Sequence, residues 1–123
     1  MARRAKSAGL THLRVTFSDD FYVGPGRADL LEGIAATGSI AAAGKRMGMS
    51  YKRAWSLVQA LNDGFGRPLV ETSRGGAGQG GAALTEDGAF VLAHYRAMEE
   101  ATRKAIAGDV SAVARRLDMS RRK

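Results

Sequence analysis

Apolar residues return along this chain with two different periods. Leu13, Val15 and Phe17 alternate with polar neighbours, as in a half-buried strand, and Gly24-Pro25-Gly26 then breaks the pattern. From Arg27 to about Thr37 the period becomes helical: Leu30, Leu31, Ile34 and Ala35 recur on one side, and Gly38 stops the run. Ser39 is a good N-cap for a short second helix in which Ile40, Ala43 and Met47 share a face. Gly48-Met49 separates it from a third helix, capped by Ser50 and running to about Phe65, with Ala54, Leu57, Val58 and Leu61 as its inward stripe. Pro68 ends the helical region, and Leu69 to Thr72 read as a strand. Gly75 to Gly81 must be irregular loop, because so many glycines forfeit backbone entropy in any regular element. A brief strand at Ala82 to Leu84 closes a hairpin, and Thr85, with Asp87 nearby, opens a long helix through Ala107.

The order strand, helix, helix, helix, hairpin, helix is the plan of a winged helix-turn-helix, mainly α with a small β-hairpin as its wing. The predicted domain spans 13–107, with the last helix at 85–107. A basic flexible arm at 1–12, with Arg3, Arg4 and Lys6, precedes it, and a basic flexible tail at 108–123 follows. A three-helix winged domain offers little surface to cover so long a final helix. That helix is therefore expected to serve dimerisation, with Leu92, Tyr95, Met98, Ala105 and Ile106 at a homodimer interface.

Composition narrows the function. At 123 residues the chain is one ordinary domain, and 19 Lys and Arg against 12 Asp and Glu leave a net charge of +7. An acidic polymer such as double-stranded DNA is the natural partner. An anionic membrane surface would also suit the charge, but no apolar run approaches the roughly 18–20 residues that span a bilayer and no signal-peptide pattern opens the chain, so a cytoplasmic protein is expected. The absence of cysteine excludes disulfides, thiolate zinc sites and cysteine nucleophiles. His12 and His94 stand far apart without clustered ligands. Neither a metal, a cofactor nor an enzymatic activity is expected, and no residue pattern names a small-molecule effector.

The segment from Gly38 to Asn62, GSIAAAGKRMGMSYKRAWSLVQALN, carries the function. A helix-turn-helix needs small residues where its helices approach, and Ala42, Ala43 and Gly44 supply them. It needs a tight turn, which Gly48 allows, and an apolar anchor in that turn, which Met49 provides. The first turn of the second helix then meets DNA, so Ser50, Tyr51, Lys52 and Arg53 are the expected contacts, with Ser56 one turn on and Ser39 at the preceding helix start. Arg53 or Lys52 is expected to read guanine, and Tyr51 to touch a phosphate or a thymine methyl. Arg74, Gly75, Gly76 and Gly78 in the wing bring a charge and closely approaching backbone amides to phosphates. A plain solvated basic face is the competing reading, but the charges coincide with the helix start that such a motif exposes. For Trp55, packing against the wing or first helix ranks above base contact.

Gly76 to Gly81 also match G-x-G-x-x-G, which raises a dinucleotide-binding enzyme as a remote alternative. That motif needs a helix opening at the loop and a long βαβ unit, and here Ala82 to Leu84 intervene. A nonspecific architectural DNA-binding protein is the nearer alternative, since basic arms suit it.

The SYKRAW run from Ser50 and the glycine-rich loop ending at Leu84-Thr85 resemble the DNA-binding domain of the molybdate-responsive ModE family. More distantly, GSIAAAGKRM and the LT-x-x-G element from Leu84 to Gly88 resemble LysR-type regulators. The resemblance covers roughly Leu13 to Ala107. It implies a winged helix whose long last helix forms the dimer contact, with DNA contacts at Ser50 to Arg53 and a wing from Arg74 to Gly81. The chain stops where that family's molybdate-binding domains would begin, so molybdate sensing is not implied. The expected function is that of a homodimeric, sequence-specific transcriptional regulator on an inverted-repeat site.

Overall fold

Two antiparallel hairpins flank three helices, and a long fourth helix packs across them. The computed structural model describes residues 8–74 and 80–117. The elements are β1 (Val15–Ser18), β2 (Phe21–Val23), α1 (Pro25–Thr37), α2 (Ile40–Arg46), α3 (Tyr51–Phe65), β3 (Val70–Arg74), β4 (Gly80–Leu84) and α4 (Glu86–Arg116). This is the mainly helical winged fold that the sequence predicts.

The local signals act as expected at the helix ends. Gly38 and Gly48 both adopt φ +72°, closing α1 and turning the chain between α2 and α3. Ser39 and Ser50 accept hydrogen bonds from the backbone N–H groups of Ala42 and Arg53, at 3.0 and 3.1 Å, and so start α2 and α3. Thr85 caps α4 by accepting from Gly88 N at 3.0 Å, while its hydroxyl donates to the Pro68 carbonyl at 2.7 Å. One side chain thus starts the helix and fixes it to the end of the preceding loop.

α1 lies at the centre of the core. Its Ala28, Leu30, Leu31 and Ile34 are fully buried against Val23, Ala43, Ala54, Leu61, Leu69 and Tyr95. A Cβ at Gly33 would stand 3.0 Å from that of Ala43, and one at Gly44 would stand 2.9 Å from that of Ala54. The helices of the motif therefore meet through small residues, as predicted. Asn62, near the end of α3, accepts from the N–H groups of Leu69 and Val70 and donates to the Val70 carbonyl. That satisfies the chain where it leaves the helix for the wing.

Several expectations need correction. The single predicted strand is half of a hairpin, β1 pairing with β2 through Val15↔Val23 and Thr16↔Tyr22. The register shifts between Thr16 and Ser18, which breaks the simple alternation. Phe17 remains 51% exposed, and Phe21 and Val23 fill the core instead. Ala35 is exposed, and Ala28 and Gly33 occupy the buried side of α1. The final helix does not stop at Ala107 but runs to Arg116, so the first nine residues of the predicted tail are helical. Gly108 lowers propensity by only about 1 kcal/mol, too little to end a long helix. Acidic Glu86 and Asp87 at its start and basic Arg115 and Arg116 at its end complement the helix dipole.

The largest correction concerns Tyr95, expected at a dimer interface but 1% exposed in the protein's own core. Its hydroxyl donates to the Leu13 carbonyl at 2.6 Å and ties the segment before β1 to α4. Burial, reinforced by the negative charge of Glu99, pushes its phenol up to about 12. A folded-state value above the ordinary 10 means that folding favours the neutral phenol. The resulting stability is fully present below pH ~10 and is lost between pH ~10 and ~12. Alkaline unfolding of the wild type should therefore track tyrosinate absorbance in this window. Tyr95→Phe should reduce that dependence; an unchanged alkaline profile would contradict the assignment.

Arg96, next along α4, binds Asp29 and Glu32 of α1 at 2.8 Å and Glu99 at 2.9 Å. Burial opposes its charge, but the hydrogen bonds to Asp29, Glu99 and Glu32 outweigh it and hold the guanidinium above its ordinary pKa.

Candidate nucleic-acid interface

The first turn of α3 is exposed because the turn at Gly48-Met49 lifts it from α2 while Ala54, Val58 and Leu61 hold the helix down. Successive helical residues advance by about 100°. With those three turned inward, Lys52, Ser56, Gln59 and, toward the far end, Asp63 occupy the outermost line, and all four are exposed. Gln59 was not singled out in the sequence. It carries no charge and lies past the helix start, although the inward stripe alone puts it one turn beyond Ser56.

Tyr51 and Arg53 flank that line on opposite sides. Tyr51 is 57% exposed, and its ring stacks on half-buried Trp55 with centroids 6.5 Å apart and planes at 20°. The pair borders a cleft of about 340 Å³ whose other walls are Ser39 at the start of α2 and Thr72, Ser73 and Gly81 of the wing. Trp55 itself packs against the core cluster and faces the wing across this cleft. Arg53 turns to the other side, into a smaller cleft with Arg14, Tyr22 and Arg27. Ser39 and Ser50, proposed contacts, use their hydroxyls to cap α2 and α3.

The wing is the β3–β4 hairpin, paired from Val70↔Leu84 to Arg74↔Gly80. Arg74 is the last residue of β3, and the candidate contacts Gly75, Gly76 and Gly78 lie outside the described residues. A strand, not a helix, follows that loop and returns antiparallel to β3. The geometry required of a dinucleotide fingerprint is therefore missing.

Charge on this face is not internally neutralised. Among the described residues, the ion pairs use Arg67, Arg96, Arg103 and Lys104, and none involves Arg14, Arg27, Lys45, Arg46, Lys52 or Arg53. No group of His, Asp or Glu suited to a metal ion occurs among the described residues, and no helix there is long and apolar enough to cross a membrane.

The remaining interface candidates separate along α4. Leu92 is half-buried against the core, Met98 is half-buried, Ala105 is exposed, and Ile106 lines a shallow pocket with Ala8, Gly9 and Leu10. Phe90 and Val113, not selected from the sequence, are 61% and 73% exposed. Phe90 and Met98 border an apolar groove of about 570 Å³ together with Phe17, Phe21 and Phe65.

Residues 27–89 match the model of the bacterial regulatory helix-turn-helix proteins of the lysR family. The chain is 45% identical over 93 residues to the molybdenum-pterin-binding protein MopA of Rhodobacter capsulatus, covering 73% of this chain and 35% of that protein. It is 36% identical to the DNA-binding transcriptional dual regulator ModE of Escherichia coli K12, covering 76% and 36% respectively. The chain thus spans about a third of the length of these curated relatives. The crystal structure of a CbnR_DBD–DNA complex aligns with a TM-score of 0.54 and 30% identity, over 74% of this chain and 97% of that one.

Proposed function

Because this chain belongs to the lysR family of bacterial regulatory helix-turn-helix proteins and forms a transcriptional-regulator DNA-binding domain of the ModE and LysR type, we propose that it binds a specific duplex site as a homodimer and regulates transcription there, in the cytoplasm. The observation carrying this reading is the line Lys52, Ser56 and Gln59, exposed along the outer side of α3 between two flanking clefts. A surface that bound phosphates alone would need only cations, whereas an amide and a hydroxyl beside a lysine supply donors and acceptors for base edges. Gln59 has the bidentate geometry that suits adenine, and Lys52 suits guanine. Tyr51, stacked on Trp55, and the wing from Arg74 follow the backbone on one side.

The second copy is proposed to meet this one along α4. Phe17, Phe90 and Met98 around the apolar groove, with Val113 further along, replace Tyr95 as the apolar contacts of that seam. Two recognition helices related by a two-fold axis would read an inverted repeat with half-sites about one helical turn, near 34 Å, apart. Selection of bound sites from random duplexes, followed by sedimentation of the protein with and without the selected site, tests both parts. An inverted repeat and a dimer are expected. Recovery of no preferred sequence would support an architectural binder instead, and a monomer on and off DNA would remove the two-fold arrangement.

A further inference from the structure

We infer that the cleft bounded by Arg14, Tyr22, Arg27 and Arg53 seats a backbone phosphate of duplex DNA, on the side of the recognition helix away from the wing. The inference rests on the DNA-binding reading above and adds to it a contact to which Arg14 and Tyr22, upstream of the family-matched segment 27–89, contribute.

The cleft is about 240 Å³ and no carboxylate lines it. The Arg14 guanidinium carbon lies 3.6 Å from the centre of the Tyr22 ring, and that of Arg27 lies 3.9 Å from it. Two groups that close to one centroid cannot share a face without overlapping, so they sandwich the ring from opposite sides. Each cation gains from the π-face, but two like charges are held apart by the thickness of a single ring. Neither has an acidic partner among the ion pairs of the described residues, and nor has Arg53. Like charges gathered around one cleft without a counter-charge repel one another, and an anion seated in the cleft at the edge of the Tyr22 ring relieves that repulsion.

The hydrogen-bonding inventory points the same way. Arg27 donates from one terminal nitrogen to the Tyr22 carbonyl at 3.2 Å, which fixes its plane. Its Nε is the buried side-chain polar atom left without a partner among the described residues. An orphaned N–H of this kind is unusual and calls for an acceptor oxygen. The first turn of α1 opens on the same cleft through Gly24, Pro25 and Gly26, without a side-chain cap or an acidic residue. The occupant suited to all of this is a small oxyanion with several acceptor oxygens. Arg53 selects the DNA backbone as its source, because Arg53 belongs both to this cleft and to the exposed first turn of α3, next to Lys52.

The test uses the full chain on a selected duplex, titrated at several salt concentrations, with Arg14→Gln and Gly26→Asp as variants. Arg14 is exposed, and a Cβ at Gly26 would meet nothing within 4 Å, so both variants should fold. Arg14→Gln should weaken selected and random DNA by the same factor and lower the slope of log affinity against log salt by about 0.9 for each cleft engaged. Gly26→Asp should raise the melting temperature, since an acid replaces glycine in the first helical turn, while weakening DNA binding through repulsion. A single methylphosphonate at the seated position should weaken the wild type but not Arg14→Gln. An unchanged salt slope in Arg14→Gln, or undiminished affinity in Gly26→Asp, would overturn the inference. Inorganic phosphate shifting the Gly26 and Arg27 amide resonances without competing against DNA would make this a free-anion site and also overturn it. Failure of the wild type to bind any duplex would instead overturn the DNA reading itself, before either variant is measured.

Discussion

Gly88→Ala should lower stability by about 3 kcal/mol or more and the melting temperature by roughly 10 °C or more, the largest effect expected of a single methyl group in this chain. Gly88 is buried in the first turn of α4, and a Cβ built there would overlap the Leu69 carbonyl oxygen and crowd its carbonyl carbon at 3.0 Å. Backbone, unlike the end of a flexible side chain, cannot swing aside. That carbonyl also accepts from Thr85 N at 2.9 Å, while Leu69 N is held by Asn62 at 2.8 Å. Moving it would disturb the start of α4 and the junction of α3 with the wing together. Gly108→Ala is the matched control: it lies in the same helix, a Cβ there meets nothing within 4 Å, and stability should rise by up to about 1 kcal/mol. Urea unfolding of the pair measures both. Equal midpoints would show that the close approach of α4 to Leu69 does not exist in solution.

The second large effect concerns recognition. On the selected site, Gln59→Ala or Lys52→Ala should cost about 1–3 kcal/mol and relax the preference at one base position per half-site, with little loss on random DNA. Arg53→Ala should behave differently, weakening both DNAs alike and reducing the salt dependence, if the cleft it shares with Arg14 and Arg27 seats a backbone phosphate as inferred. The initial expectation from the sequence gave the guanine-reading role to Arg53 or Lys52. Titration of the three variants on selected and random duplexes decides between these roles. A selective loss in Arg53→Ala would return Arg53 to base reading, and equal losses on both DNAs for Lys52→Ala and Gln59→Ala would leave α3 without a reading edge.

What could be read from the sequence was whatever is local. Ser39, Ser50 and Thr85 sit one residue before the helices they start, and Gly38 and Gly48 sit where a left-handed residue is required, so neighbouring residues sufficed to locate them. β2 was missed because three residues are too few to establish a period, and a register shift in β1 disguised its alternation. Tyr95 was misassigned because an apolar stripe on a long helix looks the same whether it meets its own domain or a second copy. The hydroxyl bond to Leu13, 82 residues away, decided the matter. Arg14, Tyr22 and Arg27 drew no notice for a similar reason: only the β1–β2 hairpin and the turn into α1 bring the two arginines to the two faces of one ring.

α4 rises about 46 Å from end to end, of which roughly 30 Å lies beyond Arg96, whose ion pairs with Asp29 and Glu32 fasten it to α1. Mechanically, that stretch is a lever with its fulcrum at Arg96. A tilt of about 10° at the fulcrum carries the far end through ~5 Å, more than the rise between successive base pairs of DNA. In the proposed dimer, whatever grips the outer turns of the helix would gain a sensitive adjustment of the distance between the two recognition helices. Small displacements far from DNA would translate into a change of register along it, with the winged domain itself left undistorted.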